Sequence, residues 1–320
     1  MTWVPTAPQT RPSSTMNIRE LIDRHPAVTR DRQELTFTAE DAPEAGAEAF
    51  SQHGVVMLRG AMPATALLPG RLAFHRFARL LGRDDRRWDR CLACDDDGPG
   101  RQWAAGEDFT GSWHRPWSVR YWNYRPPASV ISRLLKSWSW GVVERLCGST
   151  DIAILLSLCL ARHAIDRDLG VGAHQDAQGL PAVVPFSIWL PLQGVVPGRN
   201  SGLGFVTDAP DRLLPVPPGS DLDLGDRVVL DNLAAVWVPT YQPGDLTIHG
   251  RYTPHFTTGY GTGSHRYSLE IRAMARDAAP HDLQDPTVYV GRRDGVPEVV
   301  ASHCSAGVHA HGFVDAVARS

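Results

Sequence analysis

Lysine is almost missing from this chain: Lys136 is the only one among 32 basic residues, so the positive charge is carried by arginine. That bias says little about function. The formal net charge of -3 gives no electrostatic reason to expect nucleic acid or an anionic membrane as a partner. The five cysteines (Cys91, Cys94, Cys147, Cys159 and Cys304) are few and odd in number. They exclude a disulfide framework and predict a reducing compartment, the cytoplasm. The longest aliphatic run, residues 152–160, is far shorter than the ~20 residues needed to cross a bilayer. The N-terminal MTWVPTAPQTRPSS lacks the basic start and apolar run of a secretory signal.

What is present fits a globular protein: 42% hydrophobic and 21% charged residues over 320 positions, enough to bury a substantial core. Residues 1–17 are rich in Thr, Pro and Ser and are expected to be disordered or loosely attached. The rest, 18–320, is expected to form one domain. Residues 55–58 predict a buried strand, 61–81 and 130–147 predict helices, and 93–111 predict a long loop. From residue 152 onward, short apolar runs recur between turn signals. Residues 152–160, 183–192, 204–207, 227–230, 246–249, 255–258 and 266–274 all read as strands, which predicts a β-sandwich or barrel.

His174-Gln175-Asp176 carries the chemistry. In an extended segment alternate side chains share a face, so His174 and Asp176 point together at one ion and Gln175 turns away. His255 follows 79 residues after Asp176, and Arg266 eleven residues after that. Two imidazoles and one carboxylate are the set that binds iron(II) on one face and leaves the other open. By the same period of two, Tyr267, Leu269 and Ile271 face outward, beneath a helix. Arg266, Ser268, Glu270 and Arg272 face inward, an expensive set to bury without partners. A guanidinium fork with a hydroxyl beside it suits a carboxylate ligand.

His174-Gln175-Asp176, the Gly244-Asp245 turn before His255, and Arg266 together resemble the phytanoyl-CoA dioxygenase family of iron(II)/2-oxoglutarate oxygenases. Phe50-Ser51-Gln52-His53-Gly54 with residues 55–60 is similar to the family's opening strand, so the likeness spans roughly 45–276. It implies a mainly β fold with flanking α-helices: a double-stranded β-helix (a jelly-roll, cupin-like barrel) at about 150–276, with N-terminal helices packed on it and a C-terminal extension at 277–320. It implies that His174, Asp176 and His255 hold iron and that Arg266 pairs with the distal carboxylate of 2-oxoglutarate. Ser268, Trp189 and Thr257 would assist. The activity implied is oxidation of a C–H bond in a small organic substrate, typically hydroxylation, with O2 and 2-oxoglutarate converted to succinate and CO2. The chain departs from the family at Thr207-Asp208-Ala209-Pro210, where a Pro-Gly-Ser-His-like turn is common. Asp176 argues against a halogenase, since those relatives lack the carboxylate.

Other features have plainer readings. His249 competes with His255 as the distal ligand but fits neither spacing, and is expected to face a helix or loop. Arg272 is expected to pair with Glu270 or another acid. Cys91 and Cys94 lack a second pair to complete a zinc site. His309 and His311 lack a third ligand, and Asp95-Asp96-Asp97 reads as a hydrated loop. The aromatic cluster Trp113, His114, Trp117, Tyr121, Trp122 and Tyr124 fits either core packing or a substrate wall. The alternative function is a cupin-like, non-redox metal-binding protein or binding module, which has no evident reason to keep Arg266 and Ser268 buried.

Overall fold

The computed structural model describes residues 25–68, 118–119, 125–155, 160–164, 172–180, 182–220, 223–258, 266–279 and 287–303. Its strands are β1 Thr36–Phe37, β2 Val55–Leu58, β3 Ser118–Val119, β4 Ile152–Leu155, β5 Leu160–Ala164, β6 Phe186–Pro191 and β7 Gly202–Val206. They continue with β8 Val236–Trp237, β9 Leu246–Gly250, β10 His255–Thr258, β11 Arg266–Ala275, β12 Thr287–Arg293 and β13 Val296–His303. The α-helices are α1 Pro43–His53, α2 Arg125–Leu135, α3 Trp140–Cys147 and the single-turn α4 Arg227–Leu230. No helix among the described residues is long and apolar enough to cross a membrane.

Ten strands form one sheet with the central order β1-β2-β9-β6-β11-β4-β12-β13; β5 also pairs with β11, and β3 with β5. All its pairings are antiparallel except β1 with β2. A second sheet has the order β10-β7-β8. The large sheet is buried on both faces. In β2, Val56 and Leu58 join the helix-side core, whereas Val55 and Met57 face the interior beside Trp189, Phe205, Trp237 and Tyr241. Val130, Ile131, Leu134, Trp140, Val142 and Val143 of α2 and α3 cover the outer face. Each fully buried aliphatic side chain in that layer contributes about 2 kcal/mol. Phe256 and Val206 of the second sheet pack with Val228 and Val229 of α4.

Strand β11 alternates as its sequence predicts. Tyr267, Leu269 and Ile271 enter the helix-side core, and Arg266, Ser268 and Arg272 are buried on the other face. The Gly244-Asp245 turn that launches β9 has a structural cause. Gly244 takes φ +103, and a Cβ there would stand 2.0 Å from the Met62 carbonyl oxygen, so only glycine fits. The buried Asp245 carboxylate accepts from the amides of Gly60 (2.8 Å) and Gln242 (2.7 Å) and from Arg59 Nη1 (2.7 Å).

Two expected elements differ. The helix expected over 130–147 is broken between α2 and α3. The Ser137 hydroxyl donates to the Leu134 carbonyl and meets Ser139 Oγ, competing with helical bonding, while Trp138 Nε1 reaches back to the Gly60 carbonyl. Residues 227–230, expected as a strand, are the helical turn α4. Val228 and Val229 bury against the back of the second sheet, and that packing overrides β propensity. Of the helix expected over 61–81, residues 64–68 are helical and 69–81 lie outside the described residues. The 93–111 loop and residues 1–17 also lie outside them. The β12–β13 hairpin, which pairs with β4, had no counterpart in the sequence reading.

Candidate metal centre

His174 precedes a short 3-10 turn, Asp176–Gln178, and sits beside β10. Its amide donates to the His255 carbonyl (3.0 Å) and its carbonyl accepts from the His255 amide (2.9 Å), so the two histidines face each other across one antiparallel bridge. Gln175 turns away. Its amide nitrogen donates to the Arg212 and Tyr252 carbonyls, and its Oε1 accepts from the Leu214 amide. That anchoring leaves His174 and Asp176 aimed into the space between the sheets.

One ligand atom each from His174, Asp176 and His255 all lie within 4.8 Å of one another, and all three side chains are buried. The tautomers are fixed by backbone carbonyls, which only accept. His174 Nδ1 is 2.8 Å from Gly172 O, and His255 Nδ1 is 3.0 Å from Thr253 O, so each ring carries its proton there. Each Nε2 lone pair is left for the centre. Burial, and then the neighbouring His255, push the His174 imidazole down to about 3. Burial, and then His249, push His255 down to about 4. Both rings are neutral at pH 7, the state a metal requires. Burial by itself would push the Asp176 carboxyl up, but Arg272, His249 and His255 outweigh it and hold the group well below the usual carboxylate range. Two neutral imidazoles and an ionised carboxylate are a donor set that suits a divalent first-row metal.

Beside this cluster lies a second group of inward side chains. Arg266 is 1% exposed, with Cζ 5.4 Å from the centroid of the Trp189 ring. Trp189 meets Tyr241 edge-on at 4.9 Å, and Tyr241 Oη lies 3.2 Å from Thr247 Oγ1. Trp189 Nε1 and Ser268 Oγ are buried with no hydrogen-bond partner. Buried donors are rarely left unmatched, so this group of side chains suits an anionic, oxygen-rich ligand such as a carboxylate. Thr257 lies two residues beyond His255 on β10, opposite Leu203, and is buried.

His249 lies differently from the expectation. It faces the ligand cluster, with Nε2 3.6 Å from Asp176 Oδ2 and its ring 4.3 Å from that of His255. In β9 the apolar Leu246 and Ile248 take the helix side, which sends Thr247 and His249 inward. That alternation was visible in Leu246-Thr247-Ile248-His249. Arg272 pairs with Glu270 at 3.1 Å as expected, and also lies 3.4 Å from Asp176 Oδ2. Ser187, Tyr241 and Thr247 were not singled out from sequence; only the inward parity of β6 and β9 marks Ser187 and Thr247. Trp113, His114, Trp117, Tyr121, Trp122 and Tyr124 lie outside the described residues, as do Cys91, Cys94, Asp95, Asp96, Asp97, His309 and His311.

No family profile matches the chain, and no curated protein matches it. Solved structures do. The non-heme monooxygenase ThoJ is 15% identical over 85% of this chain and 95% of its own, with a TM-score of 0.53. SnoK, a non-heme alpha ketoglutarate dependent carbocyclase from nogalamycin biosynthesis, is 18% identical over 81% and 91%, with a TM-score of 0.51. EctD from S. alaskensis, crystallised with 2-oxoglutarate and 5-hydroxyectoine, is 16% identical over 79% and 82%, with a TM-score of 0.50. At such identities the likeness is one of fold, and the chain shares the fold of these three proteins.

Proposed function

We propose that the chain is an iron(II)/2-oxoglutarate-dependent dioxygenase that oxidises, and most simply hydroxylates, a C–H bond of a small organic molecule. The observation that carries this reading is the convergence of His174, Asp176 and His255, with both imidazole tautomers preset to turn Nε2 inward. Iron bound there would supply O2 activation, coupled to conversion of 2-oxoglutarate to succinate and CO2. The protein residues do the rest. His174 and His255 present neutral nitrogens, and Asp176 offsets part of the metal charge. Arg266 would grip the far carboxylate of 2-oxoglutarate, with Trp189, Ser268 and Thr257 assisting. Phe205, Trp237 and Tyr241, buried in one cluster, would help to keep water from the centre.

The fold likeness supports the reading, since SnoK is described as alpha ketoglutarate dependent and EctD was crystallised with 2-oxoglutarate. A double-stranded β-helix and kinship with the phytanoyl-CoA dioxygenase family are part of this proposal, as is a substrate from secondary metabolism. The test is spectroscopic and then catalytic. Adding 2-oxoglutarate to the anaerobic iron(II) protein is expected to produce a visible charge-transfer band. Admitting O2 is expected to release succinate slowly even without substrate. Metal binding with no response to 2-oxoglutarate would favour a cupin-like, non-redox metal protein. Full turnover by His174→Ala would overturn the assignment.

A further inference from the structure

Three inward side chains on neighbouring strands form one row beneath Asp176. Arg272 on β11 stands opposite Ser187 on β6, and Ser187 stands opposite His249 on β9. All three address the same carboxylate oxygen. Ser187 Oγ donates a short hydrogen bond to Asp176 Oδ2, Arg272 Nη2 lies 3.4 Å from it, and His249 Nε2 lies 3.6 Å from it. The other oxygen, Oδ1, faces His255 Nε2 at 3.9 Å. The two oxygens of one carboxylate thus have different surroundings.

We propose that Ser187, His249 and Arg272 are positioning residues that reserve Asp176 Oδ2, so that the carboxylate offers a metal ion Oδ1 alone. The inference rests on the metal-binding reading above and deepens it. An ionised carboxylate has about four lone-pair sites on two oxygens and, left free, can turn to bind a metal through both. Two-oxygen binding would consume a coordination position that the co-substrate or O2 needs. Donors gathered on Oδ2 oppose that rotation. Arg272 is itself held by Glu270 Oε2 at 3.1 Å, so its charge is anchored in place and partly offset. His249 adds an independent sign. It is 2% exposed, and neither ring nitrogen has a hydrogen-bond partner. An imidazole buried in that state is costly, and closing a few tenths of an ångström onto Oδ2 would satisfy Nε2.

Cobalt(II) provides a readout without turnover, because its visible d–d bands report coordination number and geometry. The full-length protein and the variants Ser187→Ala and His249→Phe are titrated with Co(II), and circular dichroism establishes that each is folded. Each variant is expected to bind Co(II) about tenfold more weakly, at the low end of what loss of a ligand's supporting partner costs. Each is also expected to show weaker d–d absorption as the carboxylate adds its second oxygen. Ser187→Thr and His249→Gln, which keep a donor, are expected to restore the wild-type spectrum. If Ser187→Ala does not fold, His249→Phe carries the comparison. Folded variants with wild-type affinity and unchanged bands would overturn the row while leaving the metal site standing. No Co(II) binding by the wild type would remove the metal reading, and this inference with it.

Discussion

The guanidinium of Arg266 lies over the indole of Trp189, 5.4 Å from the ring centroid, in the interior between the two sheets. The ring face attracts the cation and helps to hold it in place. Arg266→Gln is expected to weaken 2-oxoglutarate binding by at least about tenfold, or roughly 1.4 kcal/mol, and to leave Co(II) affinity near wild type. Arg266→Lys should recover only part, because an ammonium does not reproduce two parallel hydrogen bonds. Titrating 2-oxoglutarate against the charge-transfer band measures this, and equal loss of metal affinity would point instead to damage of the fold.

The depressed histidines predict an acid-sensitive metal-free protein. His174 and His255 are pushed down to about 3 and about 4, from 6.5 in an unfolded chain. Below 6.5 the unfolded state takes up protons that the native state refuses. Their contribution is full above pH 6.5 and is lost as pH falls toward 4 and then 3. Asp176, also lowered, acts in the same direction below its ordinary value of 3.8. Thermal melts of the metal-free protein should therefore shift downward between pH 7 and pH 4. A flat profile would contradict the neutral assignment of the two imidazoles.

Metal addition should act as a ligand on the fold. At pH 7, free Co(II) at about 100 times its Kd is expected to add about 2.7 kcal/mol to the unfolding free energy. The same addition to His255→Ala should add much less. Denaturant unfolding of both proteins, with and without metal, tests the point.

The turn before β9 should be brittle. Asp245→Ala strands the amides of Gly60 and Gln242 and takes one partner from Arg59, which keeps the Thr240 carbonyl, at an expected cost of about 3 kcal/mol. Gly244→Ala forces a Cβ against the Met62 carbonyl at φ +103 and should cost about 2 kcal/mol or more. Urea midpoints for the two variants measure both effects. Loss of metal binding should follow only where the fold is lost, because neither residue touches the centre.

Much of this was legible in sequence because period-two alternation is a local rule. It assigned both faces of β11 and the turning away of Gln175. It also held the information for His249, where the mismatch with the ligand spacing outweighed the simpler evidence of Leu246 and Ile248 on the opposite face. What was not legible depends on distant partners. Residues 227–230 carry β-branched side chains but curl into a helical turn, because Val228 and Val229 pack behind the second sheet beside Phe256. The break after α2 depends on Trp138 finding the Gly60 carbonyl, 78 residues back in the chain. The gathering of Ser187 and Arg272 around Asp176 is a matter of sheet register, which sequence spacing does not encode.

Strand β11 separates two incompatible environments by a single residue of phase. A slip of one position against β6 would press Arg266, Ser268, Glu270 and Arg272 into the apolar layer under the helices and turn Tyr267, Leu269 and Ile271 toward the ligand cluster. Such a misaligned chain would bury charge and lose its core together, so it does not compete with the native arrangement. The strand is thereby self-proofreading: molecules that pass the test of folding have already assembled the polar wall.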